Sequence, residues 1–130
     1  MTASNERPSI GLVHEDARGE MYSILLPGGR EVMLLHSKAG ALRGGHSHSV
    51  PEQVLVLKGS FRYHKLRGNE ERVEVLREGM TSYNPAGLVH MGEFPEEDTW
   101  LIEAKLANVG EWTQENYPPW RARVDANAHP

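Results

Sequence analysis

The 130-residue sequence predicts an all-β domain, a closed antiparallel sandwich of the jelly-roll kind. Three observations predict it. The 13 Gly and 8 Pro punctuate short apolar runs instead of flanking long amphipathic ones. About nine such runs follow one another at close spacing, which suits a sandwich whose strands are joined by tight turns. Sustained 3.6-residue periodicity is lacking, so helix has little support.

Length and charge bound the rest. The chain is long enough for one core and too short for two. With 14 Lys and Arg against 18 Asp and Glu, net charge −4, no global field draws it to nucleic acid or anionic lipid. Without cysteine, neither a disulfide scaffold nor a thiolate metal site can form. Residues 1–9 are polar and no run approaches membrane-spanning length, so the expectation is a soluble cytoplasmic protein. The expected organisation is an N-terminal arm over 1–20, a barrel over 21–110 and an aromatic, Pro-rich strap over 111–130, all in one domain.

Residues 1–9 read as a disordered or edge-wrapping arm. A first strand spans about Met21 to Leu26 and closes at Pro27-Gly28-Gly29, a turn tolerant of positive φ. Glu31 to Ser37 is apolar on both parities, which predicts cover on both faces by a second sheet or a partner subunit. Gly40 to Gly59 forms the next strand, with a break expected at Pro51, where one ladder donor is lost. Ser60 to Leu66 and Val73 to Leu76 pair as a hairpin across a polar turn. Gly79 to Asn84 leads into the Pro85-Ala86-Gly87 turn, which aims His90 back toward the preceding motif. Thr99 to Leu106 is the last clear strand, with Trp100, Ile102, Ala104 and Leu106 on one parity. The segment from Glu111 to Trp120 reads as non-regular, and Trp112, Tyr117 and Trp120 as a covering strap or dimer contact.

The chemistry concentrates in two stretches. His46, His48 and Glu52 share even parity, so an extended strand projects them to one side together with Val54 and Val56. Any one of these histidines alone would read as structural. Together, with a carboxylate at ligand spacing, they form most of a first shell for a divalent metal, and His90 supplies the fourth ligand. A break at Pro51 would shift parity and offer Gln53 in place of Glu52. Three imidazoles and one carboxylate suit Mn, Fe, Ni, Co or Zn, and four protein ligands leave two octahedral positions for water or substrate.

The two stretches resemble the paired signature motifs of the cupin superfamily. Gly40, His46, His48, Glu52 and Gly59 meet every fixed position of the first, and Gly79, Pro85, Gly87 and His90 meet the second, whose final Asn is Phe94 here. The resemblance implies the double-stranded β-helix barrel and one divalent metal per chain on His46, His48, Glu52 and His90. Arg43, Tyr63, His64 and Tyr83 are candidate catalytic residues, Arg43 because a guanidinium beside a metal binds carboxylate or phosphate bidentately.

Three functions follow as expectations. The first is a metal-dependent enzyme acting on a small acid, sugar or phenolic as a dioxygenase, isomerase or lyase. The second rests on Asp16-Ala-Arg-Gly19, Arg43 to His48, Glu52 to Val56 and Gly59 to Phe61, which are similar to the sugar-nucleotide 3,4-ketoisomerases. There His46 and His48 would act as acid and base, and Arg43, Lys58 and Arg62 would hold the diphosphate. The third is a non-catalytic, ligand-binding or sensory cupin. A small-molecule ligand and a homodimer are the expected partners, with no nucleic acid and no membrane.

Overall fold

A computed structural model describes residues 7–130; the first part of the expected arm, residues 1–6, lies outside the described residues. Eleven strands and one helix follow in order: β1 (Ser9–Asp16), β2 (Gly19–Leu25), β3 (Arg30–Ser37), β4 (Ala41–His48), β5 (Glu52–Lys58), β6 (Ser60–Arg67), β7 (Glu70–Arg77), β8 (Thr81–Asn84), β9 (Val89–Phe94), β10 (Thr99–Asn108), β11 (Gln114–Asn116) and α1 (Pro118–Ala128). They form two antiparallel sheets, ordered β1-β2-β3-β10-β5-β8 and β11-β4-β9-β6-β7. The jelly-roll expectation holds. Between the sheets lies a core of inward side chains, among them Leu35, Val54, Val56, Phe61, Phe94 and Leu101.

Three local expectations are corrected. Residues 9–16, assigned to the arm, form an edge strand of the six-stranded sheet. Gly40 to Gly59 is not one strand with a break: Pro51 ends the pairing altogether, and β4 and β5 lie in opposite sheets. The C-terminal segment is not irregular, because 118–128 is helical. Pro118 and Pro119 occupy the first turn, where no helical N–H is needed, and Trp120, Val124 and Ala128 recur every fourth residue as its buried stripe.

That helix closes over β4. Asn127 accepts from the Leu42 N–H at 2.8 Å and donates to the Gly40 carbonyl at 2.9 Å, while Arg121 Nη1 donates to the Gly44 carbonyl at 3.0 Å. The close approach needs glycine. A Cβ on Gly45 would lie 3.0 Å from the Arg121 nitrogen, and one on Gly44 2.8 Å from the His90 carbonyl oxygen. Both residues have positive φ (95° at Gly44 and 76° at Gly45), and the β4–β9 register slips between Gly44 and His46. This bulge reverses which parity faces inward.

The outer face of the six-stranded sheet is apolar. One row joins Leu12, Tyr22, Leu34, Ile102 and Leu55 across five strands, and the adjacent row carries Ile10, Ile24, Val32 and Ala104. β10 therefore turns its apolar parity outward and sends Leu101, Glu103 and Lys105 toward the interior, in register with Val56, Val54 and Glu52.

Candidate metal centre

Three strands bring the proposed ligands together. His46 and His48 come from the end of β4 and His90 from β9, directly across from His46 in register. Glu52 opens β5 on the facing sheet. The three imidazole rings have centroids 4.6, 4.9 and 5.1 Å apart, and one ligating nitrogen from each falls within 4.8 Å of the others. The Glu52 carboxylate, fully buried, closes the fourth side, with Oε1 3.6 Å from His90 Nε2 and Oε2 3.8 Å from His48 Nδ1. Gln53, the alternative ligand, is exposed on the opposite face of β5.

The donor set fits a divalent cation. His90 Nδ1–H donates to the Leu88 carbonyl at 3.0 Å, which leaves the Nε2 lone pair facing the cluster. His90 Nε2 and His46 Nδ1 are buried without a hydrogen-bond partner among the described residues, and Glu52 Oε2 has only the Lys105 ammonium beside it. Each such orphan costs about 1–3 kcal/mol, and one cation coordinated by all of them removes the penalty. Burial holds the His46 imidazole down to about 2, with the neighbouring His90 and His48 adding to it, and holds His48 down to about 3, helped by Lys105. Burial lowers His90 in the same direction. All three are neutral at pH 7, the form that ligates.

Second contacts orient the carboxylate. Asn84 Nδ2 donates to Glu52 Oε1 at 3.3 Å and to the Tyr63 hydroxyl oxygen at 2.7 Å, and Lys105 Nζ lies 3.3 Å from Glu52 Oε2. Lys105 in turn stands 4.2 Å from the Trp112 ring centroid, and Trp112 meets His48 edge to face at 5.4 Å. The aromatic strap thus covers one flank of the cluster. On the other flank His46 and His90 line a cavity of about 270 Å³ that continues between the sheets past Arg43, Tyr63 and Glu103 to an apolar floor of Phe61, Phe94 and Leu101.

The remaining candidates divide. Arg43 and Tyr63 line this cavity, Tyr63 with a hydroxyl that burial pushes well up and the Glu52 charge pushes further. Tyr83 does not: it is half exposed on the outer face, opposite Gln53. His64 also points outward, its two ring nitrogens 2.8 and 3.0 Å from Glu71 and Glu93 carboxylate oxygens. Arg43, Lys58 and Arg62 do not ring one mouth, since Lys58 and Arg62 line a separate surface groove with Arg77 and Glu97. Sequence reasoning missed Lys105, Glu103 and Asn84. For Lys105 and Glu103 the signal is the polar parity of Thr99 to Leu106, which looks solvent-facing until the outer face of β10 is known to be apolar.

No family model and no curated protein matches the chain. Among solved structures it is similar to the capsular polysaccharide assembling protein CapF from Staphylococcus aureus, with a TM-score of 0.69 and 18% identity over 89% of this chain and 34% of that one. It is similar to a Bacillus subtilis oxalate decarboxylase, with a TM-score of 0.67 and 18% identity over 94% and 32%. The hydroxypropylphosphonic acid epoxidase of S. wedmorenis superposes with a TM-score of 0.63 and 11% identity over 78% and 58%. The chain spans about a third of the first two and somewhat over half of the third. Identities this low speak to architecture, and the architecture is that of the cupins: two facing antiparallel sheets wound as a double-stranded β-helix.

Proposed function

We propose that the chain is a metal-dependent cupin enzyme that holds one divalent cation on His46, His48, His90 and Glu52 and transforms a small organic molecule in the cavity beside it. The observation that carries this reading is the convergence of three neutral imidazoles and a buried carboxylate, with the ring nitrogens His46 Nδ1 and His90 Nε2 unpaired among the described residues, at the head of a small cavity. A barrel retained only for its fold gains nothing from that arrangement and bears its cost. A bound metal would act as a Lewis acid toward substrate oxygen. The chain's own groups do the rest: Leu88 fixes the His90 tautomer, Asn84 and Lys105 hold the carboxylate, and the floor of Phe61, Phe94 and Leu101 keeps bulk water from the inner cavity.

The sugar-nucleotide 3,4-ketoisomerase reading has less support, because Lys58 and Arg62 stand apart from Arg43 and the cavity lies below the usual range for drug-sized ligands. We read the apolar outer sheet face as the seat of a second copy of the chain, which makes the protein a homodimer. A thermal-shift screen of Fe²⁺, Mn²⁺, Ni²⁺, Co²⁺ and Zn²⁺ crossed with small acids, sugars and phenols tests the enzymatic reading, with product analysis by mass spectrometry for each stabilising pair. A pair that stabilises and turns over supports it. Stabilisation without turnover for every pair favours the sensory, ligand-binding alternative.

A further inference from the structure

We infer that Arg43 is the anion-recognition residue of the cavity, and that the small molecule taken up beside the metal cluster is an organic acid whose carboxylate pairs with this guanidinium. The inference rests on the proposed function and narrows its substrate class. Arg43 has odd number and His46 even, so a regular strand would put them on opposite faces. The Gly44–Gly45 bulge turns both inward, on successive tiers of the same cavity.

Arg43 is 7% exposed. Its Nε donates to Ser37 Oγ at 2.7 Å and its Nη2 to the His36 carbonyl at 2.9 Å, both uncharged acceptors. Among the described residues no carboxylate forms an ion pair with it and no protein atom accepts from Nη1. The other cations along the cavity are already neutralised. Arg18 grips Asp16 with Nη2–Oδ2 at 2.6 Å, and Arg121 Nε pairs with Asp125 at 3.0 Å. Of these guanidinium groups Arg43 alone has no direct ion-pair partner among the described residues, although Glu103, Asp16 and Glu20 lie near enough to act on it.

Burying an unpaired charge costs several kcal/mol, and Ser37 with a backbone carbonyl holds the guanidinium in place without cancelling its charge. Glu103 lines the same cavity and makes no ion pair or hydrogen bond with Arg43 among the described residues. Burial lowers Arg43 to about 10, so it stays cationic at neutral pH. The free Nη1 and the second hydrogen of Nη2 form the fork that matches a planar carboxylate. One unit of positive charge balances a carboxylate; a phosphate dianion would leave a second charge buried. The floor of Phe61, Phe94 and Leu101 suits an apolar body behind the carboxylate.

Ligand-observed NMR titration of the full chain with benzoate, benzamide and inorganic phosphate tests this, run on metal-free and Zn²⁺-loaded protein. Metal-free wild type should bind benzoate at least tenfold more tightly than benzamide or phosphate, and Arg43→Gln should lose at least tenfold in benzoate affinity while taking up the same amount of Zn²⁺. Equal binding of benzoate and benzamide, a preference for phosphate, or a smaller loss in the variant overturns the assignment. If Arg43→Gln does not fold, Arg43→Lys decides: it keeps the charge without the fork, so a threefold or greater loss supports the assignment and a smaller one overturns it. The metal-free arm keeps this result separate from the metal reading, which fails only if wild type takes up no metal.

Discussion

At the scale of single residues, the lumen places charged and ligating groups where solvation is poor, and protonation follows from that. Glu103 gives the clearest case. Its folded carboxyl titrates near 7 against 4.5 for the unperturbed group, chiefly through burial, so between those values the folded chain binds a proton that the unfolded chain does not. Stability contributed by this group is therefore present at acid pH and lost as pH rises through 7. Glu103→Gln should match wild type near pH 4.5 and exceed it by about 1–3 kcal/mol at pH 8 in urea denaturation; a variant no more stable at pH 8 than at pH 4.5, relative to wild type, contradicts the assignment. On the proposed metal reading, His48→Ala removes a ligand and should weaken metal affinity by more than the roughly 10- to 100-fold seen for outer-shell losses, with little change in circular dichroism. Retained affinity in competition with a chelator would remove His48 from the site. His46, His48, Glu52 and His90 are legible in the sequence because their spacing sits in two short stretches. Lys105 and Asn84 are not, because parity says which residues share a face and not which face is covered.

Secondary elements position these groups through one irregularity. The Gly44–Gly45 bulge sets Arg43 and the histidines on the same side and lets α1 seat on β4. Gly45→Ala would need a positive-φ alanine with its Cβ 3.0 Å from the helix backbone, and should cost about 2 kcal/mol together with a loss of metal affinity, since the strand end carrying His46 and His48 must shift. Unchanged thermal midpoint and unchanged affinity would show the bulge to be incidental. Trp120→Ala should cost about 3 kcal/mol or more, read by chemical denaturation, because its indole fills the space between α1, Met91 and the sheet. The barrel strands between Gly19 and Asn108 were largely legible from turn residues and apolar runs, whereas β1, β11 and the helix were not. Pro118-Pro119 reads first as a loop signal, and the Trp120, Val124, Ala128 stripe is too sparse to announce itself in a polar segment. Pro51 likewise marks a break in the sequence without saying that the chain crosses to the other sheet there.

For the whole molecule, the six-stranded sheet has two apolar sides and one core to cover. The dual-parity pattern of Glu31 to Ser37 has its origin here: Met33 and Leu35 face the interior, and Val32 and Leu34 join Ile24, Tyr22, Ile102 and Ala104 on the outside. On the homodimer reading a second copy of the chain covers this face. Light scattering at tens of micromolar should give about twice 14.6 kDa, and Leu34→Lys should shift it to the monomer mass; a monomeric wild type contradicts the homodimer.

The account as a whole stands on the metal. Untagged protein should be stripped with chelator, dialysed, and titrated calorimetrically with Zn²⁺ and Mn²⁺, with bound metal counted by elemental analysis. About one ion per chain is the predicted result. Uptake below about a tenth of an equivalent for every divalent ion tried, in protein that remains folded, would contradict it, because the unpaired ring nitrogens of His46 and His90 would then have no partner.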